Sequence, residues 1–458
     1  MVGRWRTRLR AALLLCLLAV FACGRGPTER WLILVTCDTL RADRLGAYGG
    51  PPGLTPNLDA LLERSLVFRS AFAPSSYTLP SLSALMTGLH PEELGMLENV
   101  SELRAEASLA SVLRLHGWRT GAVVSNYVLR TGTGMELGFD FYDDTYPQSE
   151  ANRDLPERIA SDTTAAALAM AERLRAERAT RAFLWVHYQD PHGPYLPPDG
   201  RRERYLEIER RAPDGRRQLV ARPMLGVASI PVYQYVDGEH EVAFYRAGYS
   251  GEIDFFDHEI GQLLAGLEER GIGRDAIVVF TADHGESLGE NDYWFAHGEY
   301  LTDPLVRVPL GIRVPGAAPG QRSDLAALVD LFPTLLQLAG IGVPSGHPGR
   351  DLLAPGAAGA RPEIYLAALR GATVPRYGLV ADGYKYLLSE EREGRREELY
   401  ALGQESRDLS REEAEKLGEM RARLERFRGG LRPPIGERRQ ELTPAERERL
   451  RRLGYVVD

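Results

Sequence analysis

Apolar and polar positions along this chain fall into two alternating textures. Short uninterrupted apolar runs, of which Trp31 to Val35 and Ala276 to Phe280 are the clearest, read as strands buried on both faces of a parallel sheet. Longer stretches with helical spacing separate them. The pattern predicts strands at 31–37, 120–125, 182–187, 276–281 and 306–313, and amphipathic helices near 56–65, 80–87, 108–116, 157–178, 240–270 and 324–339. Alternation of this kind argues for an α/β fold, a large mostly parallel sheet sandwiched by helices. Residues 198–238 break the rhythm with an Arg-rich, Pro-punctuated stretch, which reads either as a lid or as a decorative surface insertion. From about residue 345 the texture changes to Gly/Pro-rich turns, short strands such as YGLVADGYKYLL and a charged helix at 410–427. A large domain at 30–345 and a smaller C-terminal α+β domain at 346–458 follow from that change. The closing LTPAERERLRRLGYVVD reads as a capped helix ending at Gly454.

The chemistry-bearing residues sit where the apolar runs stop. Asp38, Asp283 and His284 come just past the ends of their strands, where open α/β sheets place ligands. Two hard carboxylates and an imidazole suit one divalent metal ion, Zn²⁺ or Mn²⁺ in preference and Mg²⁺ or Ca²⁺ tolerably. Thr78 precedes Leu79-Pro80-Ser81, and Pro80 suits the first turn of a helix running to Gly88. Thr78 at or before that N-cap is either a capping residue or a nucleophile. As a nucleophile it would face an anion held by free backbone N–H groups, and a metal would lower its hydroxyl pKa. The third strand ends in His187-Tyr188-Gln189-Asp190-Pro191-His192, which makes His192 a candidate acid for a leaving group. His187 is still within the strand, so it is either a core histidine or a substrate contact. His297 lies close enough in sequence to His284 to return to the site. His90, His116, His240, His258 and His347 are read as surface or helix residues.

Composition narrows the setting. The 458 residues carry a formal charge of −8, with no basic face that would mark a nucleic-acid partner. Lysine occurs only at Lys385 and Lys416. The N-terminus joins a basic MVGRWRTRLR to a short apolar ALLLCLLAVFA, a secretory signal too short to span a bilayer. Val20-Phe21-Ala22-Cys23 resembles a bacterial lipobox, so residues 1–23 read as a lipoprotein-type signal peptide. An exported protein of the periplasm or cell envelope, lipid-anchored to the membrane at Cys23, is the expectation, with plain secretion or an uncleaved anchor as the alternatives. Cys37 is then the one cysteine of the folded body, and no internal disulfide can form.

With these residues in hand, the chain resembles the sulfatase family of the alkaline phosphatase superfamily. The resemblance runs through CDTLRADRLGAYG, LTPNLDAL, MTGLHP, GWRTGAVVSN, HYQDPHGPY, TADHGESLGE, LVRVPL and DLFPTLLQLAGI. It implies an alkaline phosphatase-like α/β fold with its site at the strand ends. It also exposes departures. Sulfatases oxidise a cysteine or serine within C/S-x-P-x-R to formylglycine, and this chain has Thr78 and Leu82 at the ends of that motif. The family's Asp-Asp opening is here Cys37-Asp38, and Asn126 and His297 stand where family members carry lysines against sulfate. Asp38, Thr78, Asp283 and His284 resemble the one-metal set of threonine-dependent relatives such as the phosphoethanolamine transferases, with His192 and His297 resembling their additional histidines.

The reading that results is a metal-dependent hydrolase that cleaves a small anionic ester of a sugar, lipid or small alcohol through a covalent intermediate on Thr78. A formylglycine diol expels sulfate by collapsing to an aldehyde, whereas a threonine ester needs a second displacement. That difference favours phosphate over sulfate esters. The alternatives are a sulfuric ester hydrolase, a phosphoethanolamine-type transferase acting on envelope lipid or glycan, and a catalytically dead binding lipoprotein. Asn126 and His187 are the expected substrate contacts.

Overall fold

In the computed structural model the described residues are 29–452, except 106, 150–155, 179, 223–225, 344–345, 356–360, 370–373 and 437. The signal sequence and Cys23 lie outside them, as does the end of the closing helix. Among the described residues no helix is long and apolar enough to cross a membrane.

A nine-stranded sheet organises the chain. Its centre is the Arg30–Cys37 strand, flanked in parallel by Ile277–Ala282 and Arg181–Tyr188. Arg119–Val124 pairs in parallel with Arg181–Tyr188, and Phe141–Asp143 with Arg119–Val124. Trp31 to Val35 and Phe183 to Val186 are buried throughout, as runs covered on both faces must be. Helices Ala160–Ala176 and Val242–Glu269 pack together over the central strands, and a second group, Thr78–Thr87, Leu109–Leu115 and Leu331–Leu338, packs among itself. The sheet is therefore mostly parallel and clothed by helices.

Three departures from the predicted pattern lie on the side of the sheet beyond Ile277–Ala282, two of them through contacts distant in sequence. Leu66–Phe72 is a strand that local periodicity does not single out. It becomes one by pairing with Arg307–Val308, Leu310–Arg313 and Gly320–Ala327. Residues 324–327, expected in a helix, form the end of Gly320–Ala327, because Leu325, Ala326 and Ala327 find partners in Ser70, Ala71 and Phe72. The helix starts only at Leu331. The expected 306–313 strand is cut at Pro309, which has no N–H to give a ladder.

The 198–238 segment contains a helix, Arg201–Arg211, packed on Val242–Glu269. It also holds a small parallel ribbon, Ala221–Arg222 with Ile230–Pro231. Its described residues are folded structure rather than bare loop. A four-stranded antiparallel sheet follows from Glu363–Ala368 to Gly394–Ala401, backed by the Ala414–Gly430 helix. Ile364, Leu366 and Val380 of that sheet share a cluster with Phe72, Ala84 and Val306 of the large unit. The chain then returns to the large unit, where Leu450 of the Pro444–Arg452 helix is buried.

Candidate active site

Sheet register assembles the site. Cys37 lies opposite Ala282 on one side and Tyr188 on the other, so Asp38 and Asp283, each one residue further on, emerge from the same edge. Val124 is level with His187, which brings Asn126 to that edge as well. Asp38, Asn126, Asp283 and His284 have no solvent exposure, nor have Thr78 and His187.

Asp38 and Asp283 each keep one carboxylate oxygen without a hydrogen-bond partner, Oδ1 and Oδ2 respectively. Their other oxygens are used. Asn126 Nδ2 donates to Asp38 Oδ2, and the backbone N–H groups of Thr39 and His284 donate to Asp283 Oδ1 at 3.2 and 2.7 Å. Two imidazoles border the pair. His284 Nε2 lies 3.7 Å from Asp38 Oδ1 and 3.5 Å from Asp283 Oδ2, and His187 Nε2 lies 3.9 Å from Asp38 Oδ2. Asp38, His187 and Asp283 can present ligand atoms all within 4.8 Å of one another. His284 Nδ1 is 2.9 Å from the Gly285 carbonyl, which can only accept, so Nδ1 carries the proton and Nε2 presents its lone pair. Buried, partnerless carboxylate oxygens facing imidazole nitrogens are the donor set of a divalent cation, and this set fits one. Burial first, and Asp283 second, drive the Asp38 carboxyl well above its ordinary pKa, while hydrogen bonds from Asn126 and Thr78 oppose them. Asp283 is raised by burial too, against the pull of His284. A cation would relieve both.

Thr78 is the first residue inside the Thr78–Thr87 helix, one position later than expected, with Tyr77 as N-cap. Its Oγ1 is 3.3 Å from His284 Nε2. The first turn is less open to an anion than the sequence predicts. The N–H of Leu79 is taken by Asn99 Oδ1 at 2.9 Å, that of Ser81 by the Tyr77 carbonyl at 3.1 Å, and Pro80 has none. Ser81 Oγ donates to the Asp283 carbonyl at 2.6 Å and so ties the helix carrying Thr78 to the loop carrying Asp283.

His187, His192 and His297 surround this core. His187 Nδ1 meets Thr36 Oγ1 at 2.8 Å, and Trp185 Nε1 donates to the same hydroxyl at 2.9 Å. His187 is thus a strand histidine that also faces Asp38, and its pKa is pushed down to about 3, by burial first and then by His284 and His192. His192 lies 5.2 Å from His297 between ring centroids, and His297 lies 4.7 Å from His284. His192 Nδ1 donates to the Gly193 carbonyl at 2.8 Å, which leaves Nε2 as its basic atom.

Sequence reasoning missed Glu286. It accepts from Tyr195 Oη at 2.9 Å and lies 3.1 Å from His297 Nδ1, and burial pushes it up to about 8. Its signal was its place two residues past His284 in TADHGES. Of the histidines read as surface or helix residues, His90 is the N-cap of the Pro91–Leu94 helix and is buried between Tyr365 and Phe427. Neither lysine serves the site, since Lys385 pairs with Asp303 and Glu405, and Lys416 with Glu419.

An α/β sheet of this topology, with paired carboxylates at its strand ends and the Thr78–Thr87 helix beside them, defines an ester-bond hydrolase of alkaline phosphatase-like fold. The chain belongs to the sulfatase family, whose sequence model matches residues 30–341. Human iduronate 2-sulfatase is 27% identical over 389 residues, covering 69% of this chain and 70% of that protein. Choline-sulfatase of Rhizobium meliloti is 26% identical over 347 residues, 65% of each chain. The phosphonate monoester hydrolase of Silicibacter pomeroyi shares the fold, with a TM-score of 0.69, 20% identity, and coverage of 90% of this chain and 99% of that one.

Proposed function

We propose that this protein is a metal-dependent hydrolase of small anionic monoesters in which Thr78 is the nucleophile, with phosphate esters as its substrates. The observation that carries the reading is Thr78 Oγ1 beside His284 Nε2, on the edge where Asp38 and Asp283 keep partnerless oxygens. A divalent ion bound by Asp38, Asp283 and His284, with His187 alongside, would supply positive charge that acidifies the Thr78 hydroxyl and stabilises the anionic transition state. Zn²⁺ and Mn²⁺ suit the two imidazoles best. Asn126, held against Asp38, fixes that carboxylate and borders the substrate. His192, as the imidazolium with its Nδ1–H held by the Gly193 carbonyl, gives its Nε2 proton to the leaving oxygen and takes one back from the water of the second step, and His297, oriented by Glu286, supports it. Water then attacks the Thr78 ester in a second displacement.

The preference for phosphate rests on the chemistry of threonine, which cannot release sulfate through an aldehyde. A second reading, sulfate ester hydrolysis, is favoured by the names of the relatives, which are sulfatases for iduronate and choline. The export sequence supports placement in the cell envelope with an anchor at Cys23. Turnover of nitrophenyl phosphate and nitrophenyl sulfate, with Zn²⁺, Mn²⁺, Mg²⁺ or Ca²⁺ added, decides between the two esters. Sulfate turnover without phosphate turnover would overturn the preference, and a total lack of hydrolysis that an added alcohol acceptor reverses would make the protein a transferase.

A further inference from the structure

The 198–238 insertion touches the site through two adjacent residues. The Tyr233 ring lies over the His192 ring with centroids 6.2 Å apart and planes inclined by 27°. Tyr233 Oη donates at 3.2 Å to the carbonyl of Phe295, two residues before His297. Phe295 has a φ of 50°, a conformation that an aromatic residue adopts only when its surroundings impose it. Gln234 is fully buried, and its amide lies against Gly193, so closely that a Cβ there would meet Oε1 at 1.7 Å. Neither Gln234 Oε1 nor Nε2 has a hydrogen-bond partner. That burial costs free energy, and the contact with Gly193 is what it secures. Gly193 is the residue whose carbonyl accepts from His192 Nδ1 and so fixes its tautomer.

We propose that Tyr233 and Gln234 are positioning residues for His192, through which the insertion sets the geometry of the group that protonates the leaving oxygen. Tyr233 braces the face of the imidazole and ties it to the segment that carries His297. Gln234 pins the Gly193 backbone that holds Nδ1. The inference deepens the proposed function and rests on it for the role of His192, but the contacts themselves do not depend on it.

The test uses the full-length chain and esters whose leaving groups range from nitrophenol to a simple alkanol. General acid assistance is worth about 10²–10⁴-fold, and it matters most for poor leaving groups. Tyr233→Ala and Gln234→Ala are expected to lower kcat for the alkyl ester by about tenfold or more, part of that assistance, while KM and nitrophenyl ester turnover stay within about threefold. Tyr233→Phe, which keeps the ring, is expected to restore most of the alkyl ester rate. In a His192→Ala background neither alanine substitution should cost anything further. Equal losses on both esters, or losses that add to that of His192→Ala, would overturn the proposal. A second readout is ¹⁵N imidazole spectroscopy, with His192 assigned by its loss in His192→Ala. The neutral wild-type ring is expected to hold its one proton on Nδ1, which leaves Nε2 to take up the catalytic proton, and Tyr233→Ala to give averaged tautomers. If His192→Ala leaves alkyl ester turnover intact, the role given to His192 is wrong, and the spectrum alone then decides the positioning. An unchanged tautomer in Tyr233→Ala would overturn it.

Discussion

Thr78 shows how one residue's meaning depends on its neighbours. A threonine before Pro80-Ser81 reads as a helix cap, and it becomes a nucleophile candidate only because Asp38, Asp283 and His284 meet beside it. Thr78→Ala is expected to reduce turnover by at least about a thousandfold, as loss of other hydroxyl nucleophiles does. Thr78→Ser should retain measurable activity, since it keeps the hydroxyl. Both are read by steady-state rates on the better nitrophenyl ester, and an Ala variant with near-normal turnover would sink the nucleophile assignment. Asp38, Asp283 and His284 were legible because each follows an apolar run. Glu286 and Gln234 were not. The burial that marks Glu286 depends on Tyr195, and the contact that marks Gln234 is with Gly193.

Elements join the two sheets through buried polar groups, and these can be tested separately from catalysis. Lys385, on the Tyr384–Glu391 strand, is buried with Nζ 2.8 Å from Asp303 and 2.7 Å from Glu405. Burial alone would lower the Lys385 pKa, but the two carboxylates outweigh it and raise it. Lys385→Met leaves two partly buried carboxylates without their cation, and is expected to cost about 3–5 kcal/mol in urea unfolding. His90 precedes the Pro91–Leu94 helix and packs against Tyr365 and Phe427. Burial, helped by Arg361, lowers its pKa to about 3 from an ordinary 6.5. A depressed folded-state pKa gives stability that is present above about 6.5 and lost as pH falls toward 3. His90→Phe is therefore expected to flatten the acid limb of the stability curve by up to about 1.4 kcal/mol per pH unit between those limits. Parallel slopes for wild type and variant would refute it.

For the whole molecule, the paired carboxylates make metal binding a matter of stability as well as activity. A cation that binds only the folded chain, at a hundredfold excess over its dissociation constant, adds about 2.7 kcal/mol. Chelation is expected to abolish turnover and lower the melting temperature, readdition to restore both, and Asp283→Asn to lose the thermal response. An identical melting curve with chelator and with metal would show that no cation binds there. The sequence by itself determined the alternating α/β plan, the parallel core strands and the residues just past their ends, because burial on both faces leaves a continuous apolar run that needs no partner to be recognised. Tertiary structure alone decided the mixed edge of the sheet, where Leu66–Phe72 pairs antiparallel with Arg307–Val308 and Leu310–Arg313 and parallel with Gly320–Ala327 across long stretches of chain. It alone decided, too, that His187 faces Asp38 and that the insertion reaches His192. Those facts depend on register and on contacts between distant segments, and neither leaves a local periodic signal.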